Sequence, residues 1–390
     1  MNTLNILYIA SSIRIPGFDG GSTHVLEVSR NLVRMGHNVI VLARRSPGQT
    51  PFEVIDGVNI VRVWRGIIKP VSTDFPGIVS NPSRSSLKFF EKTYFNTVYT
   101  AYTSFIAFYL AKKYRADVIL ERGDSYSAGA YVSLVSGIPL ITEIRDIYQP
   151  KISLLVARRL LVYDENVLRD KRFLSKIAIM RGGVDIEKFK PMNRQEAKAA
   201  LGLLEKFVIG YSGSFAKSHR VDIMVMLAQM IRRIYGDKVH FLVVGPHNPL
   251  LTKMINSLNL RHYFSFIGPV SHDELPRYLS AMDVGLALYD PGKVAGPPYK
   301  VYEYMACGVP PITTETIYSR KIVKDSLNGF LVKMNNAEEV FNKLSLLIKN
   351  PDLLHEMSIK ARETATKFSW KEEAYRVLKV IKEVLAQQGL

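Results

Sequence analysis

The stretch Gly296 to Pro310, GPPYKVYEYMACGVP, places a lysine and a glutamate three residues apart behind a pair of prolines. Proline opens a helix readily, so Pro298 sets Lys300, Val301 and Glu303 at a helix start, with Lys300 and Glu303 on one face. A carboxylate there can accept from both hydroxyls of a diol. A plain Lys–Glu surface pair has the same spacing, and spacing does not separate the two. A second loop, SGSFAKSHR from Ser212 to Arg220, follows an apolar run and leads into an amphipathic segment. Lys217, His219 and Arg220 would crowd positive charge at a helix N-terminus, which is unfavourable unless an anion such as a diphosphate sits there. A solvated basic loop is the alternative. The third loop, FDGGSTH from Phe18 to His24, has Gly20 and Gly21 at a helix start. It offers backbone N–H groups to a phosphate, or it is a tight turn capped by Ser22. It lacks G-x-G-x-x-G, which argues against a dinucleotide-dependent dehydrogenase.

These loops must be positioned by the elements between them. Leu4 to Ile9 predicts a buried strand, Ser22 to Met35 a helix and Val39 to Leu42 the next strand, with Gly36 as the left-handed residue that closes the helix. Gly137 and Gly308 punctuate in the same way before Pro139 and Val309. A second series begins with the strand Val208 to Tyr211 and the helix Val221 to Ile234. It continues through the strand Val239 to Val244, which ends at Gly245, a helix near Leu250 to Leu258 and the strand Phe264 to Ile267. The helix Glu274 to Met282, started by a Ser271/Glu274 capping box, the strand Val284 to Leu288, the helix Tyr299 to Ala306 and the strand Pro310 to Thr313 complete it. Two serial sets of alternating strands and helices predict an α/β protein of two Rossmann-like, doubly wound domains. The expected division is 1–180, 181–369 and a final helix, 370–390, that packs back on the first domain. Ligands of such folds bind outside the carboxyl ends of the strands, here in a cleft between the two domains.

Composition narrows the classes. With 390 residues, 47% hydrophobic and 22% charged, the chain can bury two cores and is not disordered. The lone Cys307 excludes a disulfide framework and a cysteine-rich metal site, and at an apolar helix end it is expected to be a packed side chain. The start MNTLNILYIASS leads directly into a strand and no run is long and apolar enough to span a bilayer, so a cytoplasmic protein is expected. The formal charge of +17 calls for a polyanionic partner. It is spread over the chain without a basic arm, which weakens nucleic acid and favours phosphates or an anionic membrane surface. His24, His37 and His247 lack metal-ligand spacing, and no strand-end loop carries D-x-D. Phe89 to Tyr114 alternates rings with Thr and Ser and ends in Ala111-Lys112-Lys113; it is expected to be a core helix, with a membrane element as the alternative.

In this order, GGSTHVLEVSRNLVRMGHNVIVL, RGGVDIEKFKP, VIGYSGSF, PPYKVYEYMACGVPPI, SLNGFLV and FSWKEEA together resemble the family-four retaining glycosyltransferases of the GT-B fold. The resemblance implies a nucleoside diphosphate sugar as donor, UDP or GDP, with no further cofactor and no metal. It gives Glu303 the ribose hydroxyls, as the second acid of E-x7-E. The first acid falls at Ala295, whereas the variant P-x-K-x-x-E-Y-M is satisfied by Pro298 through Met305. The G-R-x-x-x-x-K-G phosphate motif falls on Gly213-Ser214 and His219-Arg220, so Lys217, His219 or Arg220 must supply the charge. The family's active-site histidine after the strand Asp117 to Leu120 is replaced by Glu121 and Arg122, and the segment from Asp146 to Val162 is short. Arg122, Lys217 and Arg220 are thus the expected catalytic cations. Gly20, Gly21, Ser22, Gly213, Ser214, Lys217, His219, Arg220, Gly245, Pro298, Lys300, Val301 and Glu303 are the expected donor contacts. By analogy the acceptor is a lipid-linked sugar or surface glycan, reached from the inner face of a membrane, with closure about Arg181 to Pro191 excluding water. The rival expectation, prompted by Ala295 and the absent histidine, is a nucleotide-sugar-binding protein without transfer activity.

Overall fold

The structure is a computed structural model, and it describes residues 3–17, 19–64, 95–123, 125–145, 149–215, 219–220, 222–290, 296–334 and 336–387. Lys217, Ala295 and Asp146, which the sequence singles out, lie outside the described residues, as does the start of the segment Phe89 to Tyr114. The chain forms two units, Met1–Arg181 with Trp370–Leu390, and Gly182–Ser369.

The first unit is built on β1 (Asn5–Arg14), β2 (Asn38–Arg44), β3 (Phe52–Ile55), β4 (Val58–Val63), β5 (Val118–Arg122), β6 (Leu140–Glu143), β7 (Arg159–Val162) and β8 (Ile177–Ile179). Their order is β3-β4-β2-β1-β5-β6-β7-β8, parallel except for the β3–β4 hairpin. Ile6 to Ala10 and Val39 to Ala43 are buried without interruption, the pattern of strands covered on both faces. The order runs outward in both directions from β1 and β5, so right-handed crossovers put the helix after β1 and the helices after β5 on opposite faces. The first of these, Gly20–Arg34, packs against the terminal helix Trp370–Ala386. Trp370, Ala374, Val377, Leu378, Ile381 and Val384 form the terminal helix's buried face. Arg181 closes the unit by donating its backbone N–H to both carboxylate oxygens of Glu373, at 3.1 and 3.2 Å. Helix Thr100–Lys113 is not the core helix expected from its rings, because one of its faces lies in solvent: Tyr102, Phe105 and Tyr109 are exposed.

The second unit holds β9 (Phe207–Ser212), β10 (Val239–Val244), β11 (Phe264–Gly268), β12 (Val284–Ala287), β13 (Pro311–Thr314) and β14 (Phe330–Val332). All are parallel, in the order β11-β10-β9-β12-β13-β14. The order reverses between β9 and β12, so their carboxyl ends form the crevice where ligands of such sheets bind. Glycines let neighbours approach the strand interiors: a β-carbon on Gly210 would meet Met282 and one on Gly285 the Tyr304 ring. Gly36, Gly137 and Gly308 have φ of +88°, +77° and +70°, as expected of residues that close helices. Ser271 and Glu274 make the reciprocal bonds of a capping box, holding the turn just before the helix Leu275–Ser280.

Candidate functional site

At the carboxyl end of β9 the chain turns at Gly213, whose N–H donates to the Val244 carbonyl at 3.0 Å. Gly213 and Gly245 both have positive φ, +143° and +151°, and a β-carbon on Gly245 would stand 2.2 Å from the Gly213 carbonyl oxygen. The two strand-end loops therefore touch backbone to backbone, which side chains would prevent. A β-carbon on Gly213 would likewise meet Nζ of Lys300 at 2.6 Å.

Lys300 comes from the first turn of the helix Tyr299–Ala306, opened by Pro298. Its ammonium lies 4.2 Å from the ring centre of Tyr211, at the end of β9, and 5.7 Å from that of Tyr289, just past β12. Nζ is buried and has no hydrogen-bond partner among the described residues. Burial pulls its pKa down to about 7, against the opposing pull of Glu303. The two rings compensate part of the desolvation by cation–π attraction, but a buried charge without an anion is costly. Lys300 and Glu303 are thus not the surface pair that their spacing also allowed. Oε1 of Glu303 is instead 3.0 Å from Nε2 of His272, whose ring packs on Phe189. The Glu303 side chain retains 15% of its exposure.

The expected crowd of cations at residues 217–220 is not there among the described residues. Arg220 is bound through Nε and Nη2 to the Asp222 carboxylate, at 2.9 and 2.5 Å. His219 is inward, its Nδ1 3.0 Å from the Tyr211 hydroxyl and its ring edge-on to Tyr289. Burial, then Lys300, lowers its pKa to about 3, so it is neutral near pH 7. Among the described residues, a buried cation at this strand end is Lys300, about eighty residues on in sequence. Ser214 is exposed beside it. Val301, expected at the donor, turns its side chain fully into the core and donates its N–H to the Pro298 carbonyl at 2.8 Å, so neither is open to a ligand.

In the first unit the helix Gly20–Arg34 is capped by Asp19, not by Ser22, and Asp19 accepts the N–H groups of Gly21 and Ser22 at 2.8 and 3.0 Å. A carboxylate of the protein thus occupies two of the N–H groups expected to receive a phosphate. Arg122, expected in an open loop, ends β5 and is 1% exposed. Its Nη1 is 3.5 Å from Glu143, and a β-carbon on Gly21 would lie 3.0 Å from its Nη2. Glu143 also binds the hydroxyl of Tyr8 and Nε2 of His24, the latter at 3.0 Å, and Nδ1 of His24 is 3.1 Å from the Tyr163 hydroxyl. Burial would raise the Glu143 pKa, but the charge and hydrogen bond of His24, then Arg122 and Tyr8, outweigh it and hold it at about 2. Trp370, the first residue of the terminal helix, stands edge-on to His24. Glu121 is also structural: it accepts the Gly129 N–H and the Ser153 hydroxyl. This network is buried and sets His24 against Trp370, at the start of the terminal helix. No three His, Cys, Asp or Glu side chains among the described residues come together as metal ligands would.

Sequence reasoning missed His272, which pairs with Glu303 from 31 residues away, and the tyrosines that bury Lys300.

Two family models match the chain: "Glycosyltransferase Family 4" over residues 18–178 and "Glycosyl transferases group 1" over 193–364. Among curated proteins, D-inositol 3-phosphate glycosyltransferase of Saccharomonospora viridis is 26% identical over 215 residues, 52% of this chain and 49% of that protein. The chain spans about half the length of the curated relatives first matched. The alignment with the Rhodococcus opacus protein of that name is longer, 24% identical over 91% of this chain and 83% of the other. Among solved structures, sucrose-phosphate synthase of Thermosynechococcus elongatus superposes with a TM-score of 0.74 at 17% identity, over 98% of this chain and all of that one. HepE of Anabaena, in complex with UDP and glucose, gives 0.73 at 16%, over 97% and 100%. On its two matched domains and its two parallel α/β sheets, the chain belongs to the family-four glycosyltransferases of the GT-B fold.

Proposed function

We propose that this protein transfers a sugar, with retention of anomeric configuration, from a nucleoside diphosphate sugar to a hydroxyl acceptor, and that the donor is held by the second unit. The observation that carries this reading is the buried ammonium of Lys300 beside Gly213, without a hydrogen-bond partner among the described residues. A cation kept in place without an anion costs folding energy, and a diphosphate bound at the loop would repay it. Gly213, Ser214 and Gly245 offer backbone at close approach, and Glu303 lies one helical turn from Lys300, where it can accept the ribose hydroxyls once His272 yields or shares it. Pro298 opens the helix but has no N–H, and its carbonyl accepts from Val301, so these two residues shape the helix start and do not contact the donor. Arg220, tied to Asp222, acts at most through long-range charge.

In the reaction the bond between the anomeric carbon and the diphosphate oxygen breaks, and the acceptor oxygen bonds to that carbon on the same face. The acceptor proton passes to the departing diphosphate, so no protein nucleophile is needed. Negative charge grows on the diphosphate as the sugar becomes oxocarbenium-like, and Lys300 with the helix N-terminus behind it stabilises that charge. The donor site uses no metal ion. UDP is the nucleotide of choice here, because the structural neighbour HepE was solved in complex with it. The acceptor, by analogy, is a polyol or sugar carried by a lipid or surface glycan at the inner face of a membrane, and the protein is cytoplasmic. The rival, donor binding without transfer, is separated by incubating the purified protein with a panel of UDP and GDP sugars and acceptors. Release of free nucleoside diphosphate supports transfer, and binding without release supports the rival.

A further inference from the structure

We propose that Tyr211 is a positioning residue for the transfer, its ring holding the Lys300 ammonium at the Gly213 turn. The inference rests on the donor reading above. The ammonium lies 4.2 Å from the Tyr211 ring centre and 5.7 Å from that of Tyr289. Both rings are held from behind. Phe215 stacks on Tyr211 with centres 4.9 Å apart and planes at 26°, and Nδ1 of His219 is 3.0 Å from the Tyr211 hydroxyl. His219 sets its ring edge-on to Tyr289 at 5.3 Å and forms an antiparallel backbone bridge with it, while the Tyr289 N–H donates to Oγ1 of Thr314 at 2.9 Å. The lysine's own helix is tied to the same strands. The hydroxyl of Tyr304, one turn on from Lys300, accepts from the Ser212 N–H at 2.7 Å and donates to the Leu286 carbonyl at 3.3 Å.

A ring suits this task better than a carboxylate. An aromatic face attracts a cation electrostatically and takes none of its N–H groups, and no acceptor among the described residues binds Nζ of Lys300. A carboxylate in the same place would neutralise the ammonium and repel a diphosphate. The ring fixes the charge and leaves its three donors for phosphate oxygens. Glu303 and Tyr304 face the ammonium from its own helix, Tyr211 from β9, Tyr289 from beyond β12 and His219 from the loop between. Burial pushes all three tyrosine hydroxyls up and holds His219 at about 3, so these four stay neutral where Lys300, at about 7, changes charge. Weakening the attraction of the ring therefore lowers the pH at which the charge is lost.

The test replaces Tyr211 by phenylalanine and by phenylalanines with one, two or three ring fluorines, which keep the shape while weakening the attraction of the face for a cation. Melting temperatures are recorded for each. The amine of Lys300 is titrated by NMR in ligand-free, full-length protein carrying 13C-labelled lysine, its signal assigned by its loss in Lys300→Met. The midpoint should fall stepwise along the series, by about one pH unit at three fluorines. With the sugar donor that gives the fastest release in the panel of UDP and GDP sugars, kcat/KM should fall in parallel, about tenfold from Tyr211→Phe to the trifluoro ring, with its alkaline limb moved to lower pH. In a Lys300→Met background the same series should be flat. An unmoved midpoint, or an equal fall in kcat/KM without the lysine, would overturn the inference and leave the donor reading standing. Failure of the donor reading looks different: Lys300→Met alone would turn over like the wild type, and the positioning role would fall with it even if the midpoint moved.

Discussion

Nε2 of His272 lies 3.0 Å from Oε1 of Glu303, so the carboxylate assigned to the donor's ribose is already oriented by an imidazole. The pair is partly exposed, with 39% of the His272 side chain and 15% of the Glu303 side chain accessible. It therefore contributes little to stability, while a donor would find the carboxylate preorganised.

Glu303→Gln should cost about 1 to 3 kcal/mol in donor binding, because an uncharged amide accepts less strongly from two hydroxyls. His272→Ala should raise the donor KM a few-fold, about 1 kcal/mol, with kcat kept, since it removes orientation and not the acceptor itself. Neither should move stability by more than about 0.5 kcal/mol. Donor titrations beside melting curves check this, and a donor with 2'-deoxyribose should lose affinity for the wild type but not for Glu303→Gln.

Lys300→Met should stabilise the ligand-free protein, an unusual outcome for a buried substitution. The folded pKa of Lys300, about 7, is below its ordinary 10.5, so the unfolded chain binds more protons between those values. Wild-type stability from this group rises as pH climbs from about 7 towards 10.5, and the penalty is fully present below 7. Lys300→Met removes a penalty on the order of a few kcal/mol at neutral pH and flattens the alkaline rise. Melting curves at pH 7 and pH 9.5 measure both effects.

Glu143→Gln should have the opposite sign. With Glu143 held at about 2, below its ordinary 4.5, its contribution is present above 4.5 and lost as pH falls towards 2. Removing its charge leaves His24 and Arg122 buried without their shared anion, at a cost of about 3 to 5 kcal/mol. The variant should melt well below the wild type at pH 7 and lose less on acidification from pH 5 to pH 3. Exposure of Trp370 by fluorescence would report whether the terminal helix loosens with it.

Turnover should survive chelation by EDTA, because the proposed site places Lys300 where a metal-bound diphosphate would otherwise need a cation. Loss of activity with EDTA, restored by magnesium or manganese, would contradict this part of the proposal.

The alternation of the two sheets was legible because parallel strands covered on both faces read as unbroken apolar runs, as Ile6 to Ala10 and Val39 to Ala43 do. The β3–β4 hairpin was passed over although Asp56-Gly57, both at positive φ, is a standard hairpin turn; Phe52 to Val54 are exposed and carry no core signal. Lys300 and Glu303 could be picked from the proline and their spacing, but not their separate fates. Those depend on Tyr211 and Tyr289, joined only because β9 and β12 are neighbours in the sheet, and on His272 from another loop. The cations at 219 and 220 misled for a related reason: one is neutralised by a carboxylate two residues on, the other by burial. Glu143 and His24, 119 residues apart, leave no local pattern at all.

The central claim is that Lys300 carries the charge that holds and activates the diphosphate, and kcat/KM for nucleoside diphosphate release from the best donor tests it most directly. Lys300→Met, shown folded by its raised melting temperature, should lower kcat/KM by about 10- to 100-fold, the worth of one charge-assisted bond to a developing anion. Lys300→Arg, which replaces a compact ammonium with a longer planar guanidinium that cannot deprotonate at a buried position, should recover little of it. Wild-type kcat/KM in Lys300→Met would contradict the account and move the diphosphate away from Gly213.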